Sequence, residues 1–548
     1  MSRPWLKNYD DGIPDTLQYP DIALPQFLID TATDHPDYIA TTFNGIDITY
    51  REMDGKVNGF ARALEEIGVK KGDRVSLVLP NSPTYVIASY AVLKLGAIVV
   101  NINVMSHGDE LVSFINDSGS RVVITLDIFV QNVLGIVKKT CLEEIVIHSV
   151  FGLEKKLEIE EGVPEIRIFG DLVEAFSTDD FPLQCSGDDI AILQYTSGST
   201  GTPKAAVLTH RNIVSNVIQI SNWNRTETPS NPAVICIIPF FHVFGMTICL
   251  HLSVYKAYRM ILLPMFDWSS IIDLLNIIKD YRPVSFPAVP ALFAALVSHP
   301  EAVAYRLSSI EIASAGGAPL PLWVQEKYEK LTGRKLAVAY GLSEASSSTH
   351  ISPFLGGAAA GSIGVPLPDT DARIVDLETG KVDCPDGEIG ELIVKGPQVM
   401  QGYWNSPDQT EKALRRGWLY TGDLARMDEN GYFHIVDRKD DLIISSGFNV
   451  YPSEVENVLI RHSGVKDAGV IGAPDRIRGA SIVAYVVMEE GKSFDRKGLL
   501  AHCREHLPEF KVPRRINQRE EIPYNRVGKP LRRVLRMELS NQKPGETQ

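Results

Sequence analysis

A chain of 548 residues is too long for one simple domain and predicts two to four structural units. Its 44% apolar and 22% charged residues are those of an ordinary globular protein. The net charge of -14 argues against nucleic acid as the main partner and against a polybasic membrane anchor.

The opening Met1-Ser2-Arg3-Pro4-Trp5-Leu6-Lys7 lacks the apolar core of a signal peptide. Six cysteines without a Cys-x-x-Cys pair predict free thiols in a reducing, cytoplasmic setting. Residues 75–79 read as a buried strand, 85–95 as an apolar helix ended by Gly96, and 97–100 as the next strand. Such a strand–helix–strand unit is the basis of a parallel sheet with helices on its faces. Apolar runs at 122–125, 191–193, 234–238 and 260–263 extend the pattern into a large α/β region.

Directly after the run at 191–193 comes Tyr195-Thr196-Ser197-Gly198-Ser199-Thr200-Gly201-Thr202-Pro203-Lys204. Glycines let a backbone turn its N–H groups inward, and such a concavity binds anions, phosphate above all. Hydroxyls add donors and Lys204 a point charge. Pro203 separates that lysine from Gly201-Thr202, so this is not a Walker A loop. Further on, 233–255 is long and apolar enough to span a bilayer, but Pro239, Gly245, Thr247 and Ser253 break it into strand, turn and pocket-lining helix.

From about Asp369 short alternating runs predict a β-rich subdomain, closed by Gly417-Trp418-Leu419-Tyr420-Thr421-Gly422-Asp423. A compact α+β unit follows Asp437-Arg438-Lys439-Asp440-Asp441. Ser453 and Glu456 read as a capping box, with Val455, Val458 and Leu459 as the buried stripe of the helix. The segment 511–536 holds nine Lys or Arg, which reads either as a solvated basic face or as a polyphosphate contact. Residues 540–548 read as a frayed end.

Taken in order, these motifs resemble the adenylate-forming superfamily of acyl-CoA synthetases, firefly-type luciferases and peptide-synthetase adenylation domains. The resemblance covers about residues 25 to 536 and is nearest to bacterial fatty acyl-CoA synthetases, through Pro239-Phe240-Phe241-His242-Val243-Phe244-Gly245 and Ser446-Gly447-Phe448-Asn449-Val450-Tyr451-Pro452. It implies a multidomain α/β fold: an N-terminal ATP- and acyl-binding domain over 1–437, with its β-rich part at about 369–437, and a mobile C-terminal α+β lid over 438–548. The hinge falls at Asp440. The implied reaction joins a carboxylic acid to CoA through an acyl-adenylate, with ATP, Mg2+ and CoA as co-reactants. A medium- or long-chain fatty acid is the first reading of the acid. The alternatives are an aromatic or alicyclic acid, an acyl-adenylating enzyme that loads a separate carrier protein, and a non-catalytic nucleotide-responsive or fatty-acid-trapping membrane protein. Intact Lys529, Glu344 and Asp423 argue against the last. Nucleic acid and a membrane span are not implied; a homodimer and peripheral membrane contact are compatible with the family.

The same resemblance assigns residues. Thr196, Ser197, Gly198, Ser199, Thr200, Gly201 and Lys204 hold the phosphates of ATP. Gly316, Gly317 and Ala318 form a wall for adenine, and Tyr340, Gly341, Leu342 and Ser343 complete it. Glu344, with Thr196, holds Mg2+. Asp423 and Arg438 meet the ribose, and Ile435 belongs to the same nucleotide site. Lys529 is the catalytic lysine and also reaches ATP, and Glu344 and His242 are counted with it as catalytic. Phe240, Phe241, Phe244, Met246, Ala315 and Gly341 line the acyl pocket; His242, Ser446, Gly447 and Phe448 line the CoA path. In acetate-restricted members a tryptophan stands at the place of Gly341, so glycine implies a larger acyl group. The chain departs from the family pattern at Ala205, Ser343, Ala480 and Pro530.

Overall fold

Asn81-Ser82-Pro83 shows how local chemistry builds the first layers. Ser82 caps the helix Pro83–Lys94: its Oγ accepts from the Tyr85 N–H at 3.2 Å, and Pro83 occupies the first turn, where no N–H is needed. Residues 84–94 of that helix are all buried, as expected of a helix apolar on every side. It connects the strands Arg74–Val78 and Ile98–Asn101, which pair in parallel as the sequence pattern predicts. Even Lys94 is inside, with its Nζ 2.5 Å from Asn58 Oδ1 and 3.3 Å from Asp54 Oδ1.

The computed structural model describes residues 3–150, 163–196, 204–223, 228–264, 270–305, 307–356, 359–445, 447–475, 478–524 and 530–541. The expected frayed end falls, from 542 on, outside them. Two units emerge: Met1–Asp371 with Val394–Leu419, and Ala372–Ile393 with Tyr420–Gln548.

Among the described residues, the first unit holds two large sheets. One has nine strands, in spatial order Val365–Pro366, Ser347–Ile351, Leu336–Leu342, Ile312–Gly316, Ser285–Ala288, Ala233–Cys236, Arg259–Leu262, Ile39–Phe43 and Ile46–Thr49. The other has eight: Gly402–Tyr403, Lys204–Thr209, Ile190–Thr196, Ile98–Asn101, Arg74–Val78, Val122–Leu126, Glu144–His148 and Glu165–Ile168. Val78, Val100, Val123, Ile145 and Leu193 belong to one buried cluster beneath the second sheet. The strand expected over 234–238 stops at Cys236, because the Asn81 amide takes the carbonyls of Cys236 and Ile238, each at 2.9 Å. The expected helix begins as a π-helix, Gly245–His251, continued by Leu252–Tyr255. No helix among the described residues is long and apolar enough to cross a membrane.

The second unit contains a sheet running through 372–375, 390–393, 420–427 and 433–438. It also contains an α+β layer in which Phe448–Val450, Ile443–Ser445, Gly479–Met488 and Val465–Asp475 pair in that order and Arg515–Arg519 pairs with Gly479–Met488. Val455, Val458 and Leu459 are buried in its core, as the stripe predicts. The capping box is not formed. The helix runs Pro452–Ile460 from an N-cap at Tyr451, so Pro452 takes the first position and Ser453 the second. Ser453 Oγ donates to the Val436 carbonyl at 2.7 Å, and Glu456 is bound elsewhere.

Three histidines of the first unit, His210, His251 and His350, are fully buried. Burial pushes them down to about 4, about 3 and about 3. Each is neutral in the fold at pH values where an unfolded histidine takes up a proton. The unfolded state therefore binds more protons as the pH drops from about 6.5 towards 4. Stability should fall over that window, each group adding up to about 1.4 kcal/mol per pH unit. Urea midpoints at pH 7 and pH 5 check this; equal midpoints would contradict it.

Candidate active site

The loop singled out by its composition is closed by an antiparallel pair. Ile190–Thr196 enters it, Lys204–Thr209 leaves it, and Thr196 lies opposite Lys204. Ser197, Gly198, Ser199, Thr200 and Gly201 lie outside the described residues. Lys204 Nζ donates to Gln409 Oε1 at 3.0 Å and sits 5.6 Å from the centroid of the Tyr403 ring. Tyr403 is placed there by pairing with Ala206 on the exit strand. Its hydroxyl donates to Glu344 Oε1 at 2.8 Å. The structure thus joins Thr196, Lys204 and Glu344 through Tyr403. Neither Tyr403 nor Gln409 carried a signal in the sequence, since Gln409 meets Lys204 across 205 positions and Tyr403 meets Glu344 across 59.

Glu344 stands in a single 3-10 turn, Ser343–Ala345, after the strand Leu336–Leu342. Two non-glycine residues of positive φ follow, Ser346 at 57° and Ser347 at 136°. Each such position costs about 1–3 kcal/mol and persists only where the surroundings enforce it. Here Ser346 Oγ donates to the Gln398 carbonyl at 2.9 Å, Thr247 Oγ1 donates to the Ser346 carbonyl at 2.5 Å, and the Met400 N–H donates to the Glu344 carbonyl at 2.8 Å.

Gly316 ends the strand Ile312–Gly316 and pairs in parallel with Ala339, one residue before Tyr340. Gly317 turns at φ 85° and Ala318 follows, half-buried. Gly316–Ala318 and Tyr340–Ser343 therefore share the carboxyl ends of two neighbouring parallel strands, the usual ligand edge of such a sheet. The Tyr340 ring packs edge-on against His350, centroids 5.7 Å apart. A β-bulge falls between Tyr340 and Gly341, and a Cβ at 341 would lie 1.5 Å from the Ser347 carbonyl oxygen. The hairpin backbone is thus sufficient reason for glycine there, independent of pocket size. Gly341→Ala should force the hairpin apart at about 1–3 kcal/mol and displace Glu344 with it. The thermal midpoint and the KM for ATP should both worsen; an unchanged melt would contradict this.

The segment 236–242 is suspended by buried side chains. Asn81 Oδ1 accepts from the Phe240 N–H at 2.7 Å, Tyr85 donates to the Phe240 carbonyl at 3.0 Å, and Gln194 donates to the Phe241 carbonyl at 2.9 Å. Asn101 links Tyr85 and Gln194, and its amide also lies 3.4 Å from Met246 Sδ. Phe240, Phe244, Met246 and Ala315 are buried and Phe241 half-buried. The Phe244 ring covers Gly316, where an added Cβ would lie 3.2 Å from two ring carbons. His242 keeps a partly accessible edge, yet burial among protein atoms pushes it down to about 4. Its Nδ1 accepts from the Phe244 N–H at 3.2 Å, so the neutral ring carries its proton on Nε2.

In the second unit Asp423 and Arg438 face each other across paired strands, and Arg438 Nη1 donates to Asp423 Oδ1 at 2.6 Å. Ile435 lies on the same strand as Arg438, opposite Ala425. Asp440 is exposed within the turn Lys439–Asp441. Gly447 has φ 82°, and a side chain there would meet open space. The neighbouring Phe448 is half exposed and stacks on Phe510 at 4.6 Å, a partner the sequence did not flag. Ser446 and Lys529 lie outside the described residues; Tyr524 and Pro530, which bracket the segment 525–529, are bridged. The basic stretch fits neither of its two readings in full. Lys511 pairs with Glu454, Arg519 with Glu538, Arg536 with Asp441, and Arg532 with Asp437, Asp441 and Glu456.

Residues 28–404 match the family described as AMP-binding enzyme, and 454–529 match the AMP-binding enzyme C-terminal domain. A long-chain-fatty-acid–CoA ligase of Bacillus subtilis (strain 168) is 40% identical over 549 residues, covering 97% of both chains. One from Salmonella typhimurium is 35% identical over 561 residues, covering 98% of both. The crystal structure of ATP-bound MatB from Rhodopseudomonas palustris superimposes with a TM-score of 0.85 at 29% identity, covering 95% of this chain and 99% of that one.

Proposed function

We propose, from the premise that the chain belongs to the AMP-binding enzyme family, that it is an AMP-forming ligase joining a long-chain fatty acid to CoA. The fatty acid is the substrate class in the names of the full-length relatives. The buried aromatic segment around Phe240, Phe244 and Met246 supports an apolar acyl chain. The observation that carries the reading is the join of Thr196, Lys204 and Glu344 through Tyr403, because it sets phosphate donors beside a carboxylate.

A free carboxylate resists attack by a thiol because its charge is delocalised and an oxide leaves badly. Its oxygen instead attacks the α-phosphate of ATP, pyrophosphate leaves, and the acyl-adenylate forms. The CoA thiolate then attacks the acyl carbon and AMP departs. The first step depends mostly on positioning and charge stabilisation. Lys204 and the loop 196–201 hold the phosphates that leave. Gly316–Ala318 and Tyr340 accept adenine, while Asp423 and Arg438 take the ribose. The hard oxygen donors of Glu344 and Thr196 suit Mg2+, and Glu344 Oε2 stays available when Oε1 holds Tyr403. Mg2+ bound there supplies positive charge against the phosphate oxygens. His242 offers a donor at Nε2 where thiol meets acyl carbon, and Gly447 and Phe448 flank the pantetheine. The functional division falls at residues 1–437 and 438–548, with Asp440 taking the backbone rotation between half-reactions.

Pyrophosphate release with acids from C2 to C18 and aromatic acids, with and without CoA, tests the reading. Turnover should rise with chain length and need CoA; full CoA-independent turnover overturns it. Tyr403→Phe removes the donor on Glu344 and should raise the KM for MgATP about 10-fold, the usual worth of a hydrogen bond to a charged group. An unchanged KM would detach Tyr403 from the site.

A further inference from the structure

We propose a second, unassigned metal site at His502, Glu505 and His506, suited to a borderline divalent transition ion of the zinc class. The three residues lie on the last two turns of the helix Arg496–His506, with the histidines four apart and therefore on one face. One potential ligand atom from each lies within 4.8 Å of the other two. Glu505 and His506 are exposed and His502 is half-buried, so an ion can reach them.

Proximity alone would be an accident of a polar surface. The hydrogen bonds add a second observation. One ring nitrogen of each histidine is already committed to a backbone carbonyl: His502 Nε2 to Val458 at 3.0 Å, and His506 Nδ1 to His502 at 2.9 Å. A carbonyl only accepts, so each of those nitrogens carries the proton. In the neutral rings this leaves the lone pairs on His502 Nδ1 and His506 Nε2. Metal-binding histidines are ordinarily fixed in this way, with the remote N–H given to a carbonyl so that tautomer and ring plane are set. Both histidines here have that arrangement.

His462 packs edge-on against His502, with centroids 5.2 Å apart. Its Nδ1 accepts from the Gly464 N–H at 3.2 Å, so its proton is on Nε2 and it offers no lone pair there. It braces the cluster rather than ligating. Two imidazoles, a carboxylate and one water complete the four-coordinate shell usual for Zn2+. Mg2+ prefers oxygen ligands and holds its water, so the ATP-linked cation does not compete. None of the three residues is among those assigned above to ATP, acyl group or CoA. His502 is tied to Val458, so the ion would sit where the helix Arg496–His506 meets the helix Pro452–Ile460.

The test is calorimetric titration of the full chain, stripped with chelator, with Zn2+ in Mg2+-containing buffer, followed by Co2+ spectra. One equivalent of Zn2+ should bind, and Co2+ should give the intense visible bands of a four-coordinate site. His506→Gln and the double variant His502→Ala/His506→Ala should lose that equivalent, Glu505→Gln should weaken it, and His462→Ala should keep it. His506 is exposed, so the single variant keeps the fold even where the double one does not, and acyl-CoA formation without Zn2+ should stay at the wild-type level in it. Cys141 is also exposed, and binding that persists in both histidine variants would assign the ion to thiols and overturn the site. Absence of any Zn2+ uptake by the wild-type chain would overturn it equally.

Discussion

Lys529→Ala should lower ATP–pyrophosphate exchange by about 10²- to 10³-fold, the loss expected when one preorganised charge is removed from a developing anion, on the proposal that Lys529 is the lysine at the reacting carboxylate. Thioester formation from supplied acyl-adenylate and CoA should change far less. The asymmetry follows from where charge develops. In the first half-reaction a carboxylate approaches a phosphate, and two anions must be brought together as the bridging charge builds. A lysine ammonium there acts only while that bond forms. In the second half-reaction the adenylate is already made and AMP leaves. The two assays are pyrophosphate exchange and single-turnover thioester formation. Equal loss in both would give Lys529 a structural or shared role. Lys204, whose Nζ is already engaged by Gln409 and the Tyr403 ring, should behave differently. In its proposed role as a holder of phosphate in the ground state, it should act on ATP affinity more than on rate.

What was legible in the chain, and what was not, divides by distance along it. The strands at 74–78, 98–101 and 122–126 and the helix between the first two were readable, because a run of Val, Ile and Leu between turn residues has one cheap solution. The left-handed turn at Gly317 was readable as a glycine pair, and the Phe-rich segment as a buried one. Tyr403 was not, because a lone tyrosine beside a glycine says nothing until strand pairing sets it under Lys204. The frame of Asn81, Tyr85, Asn101 and Gln194 is equally silent: each residue is common in turns or helices, and only packing brings them to one segment. Ser453 misled because its neighbour Pro452 fits the first helical position better than a capping serine three residues before a glutamate. That glutamate is bound instead by Arg532.

Arg532→Ala should destabilise the second unit by about 3–5 kcal/mol, the range for removing one partner from a buried ion pair. The guanidinium reaches three carboxylates at once: Nη1 lies 3.0 Å from Asp437 and 3.0 Å from Asp441, while Nε and Nη2 bridge Glu456 at 3.0 and 2.7 Å. Arg532, Asp437 and Glu456 are all buried. Deleting the cation strands negative charge where water cannot screen it. The groups register this tension already. Burial raises Glu456 above the usual carboxylate range, although Arg532 opposes it. Burial also acts upward on Asp441, but there Arg532 and Arg536 outweigh it and the net shift is downward. A depressed carboxylate contributes stability above its unfolded pKa and loses it as the pH falls through the folded value. The wild-type advantage over Arg532→Ala should therefore shrink in acid. Arg532→Lys should recover only part of the loss, since an ammonium cannot fork between Glu456 and Asp437. Denaturant unfolding of the three proteins at pH 7.5 and pH 4.5 decides the matter, and Arg532→Ala with wild-type stability would show the network to be neutral. The network also sets a condition on Asp440. Asp437 lies before that residue and Glu456 and Arg532 after it, so a rotation of the backbone at Asp440 must release Arg532 from Asp437 or carry the end of the strand Phe433–Arg438 along with it.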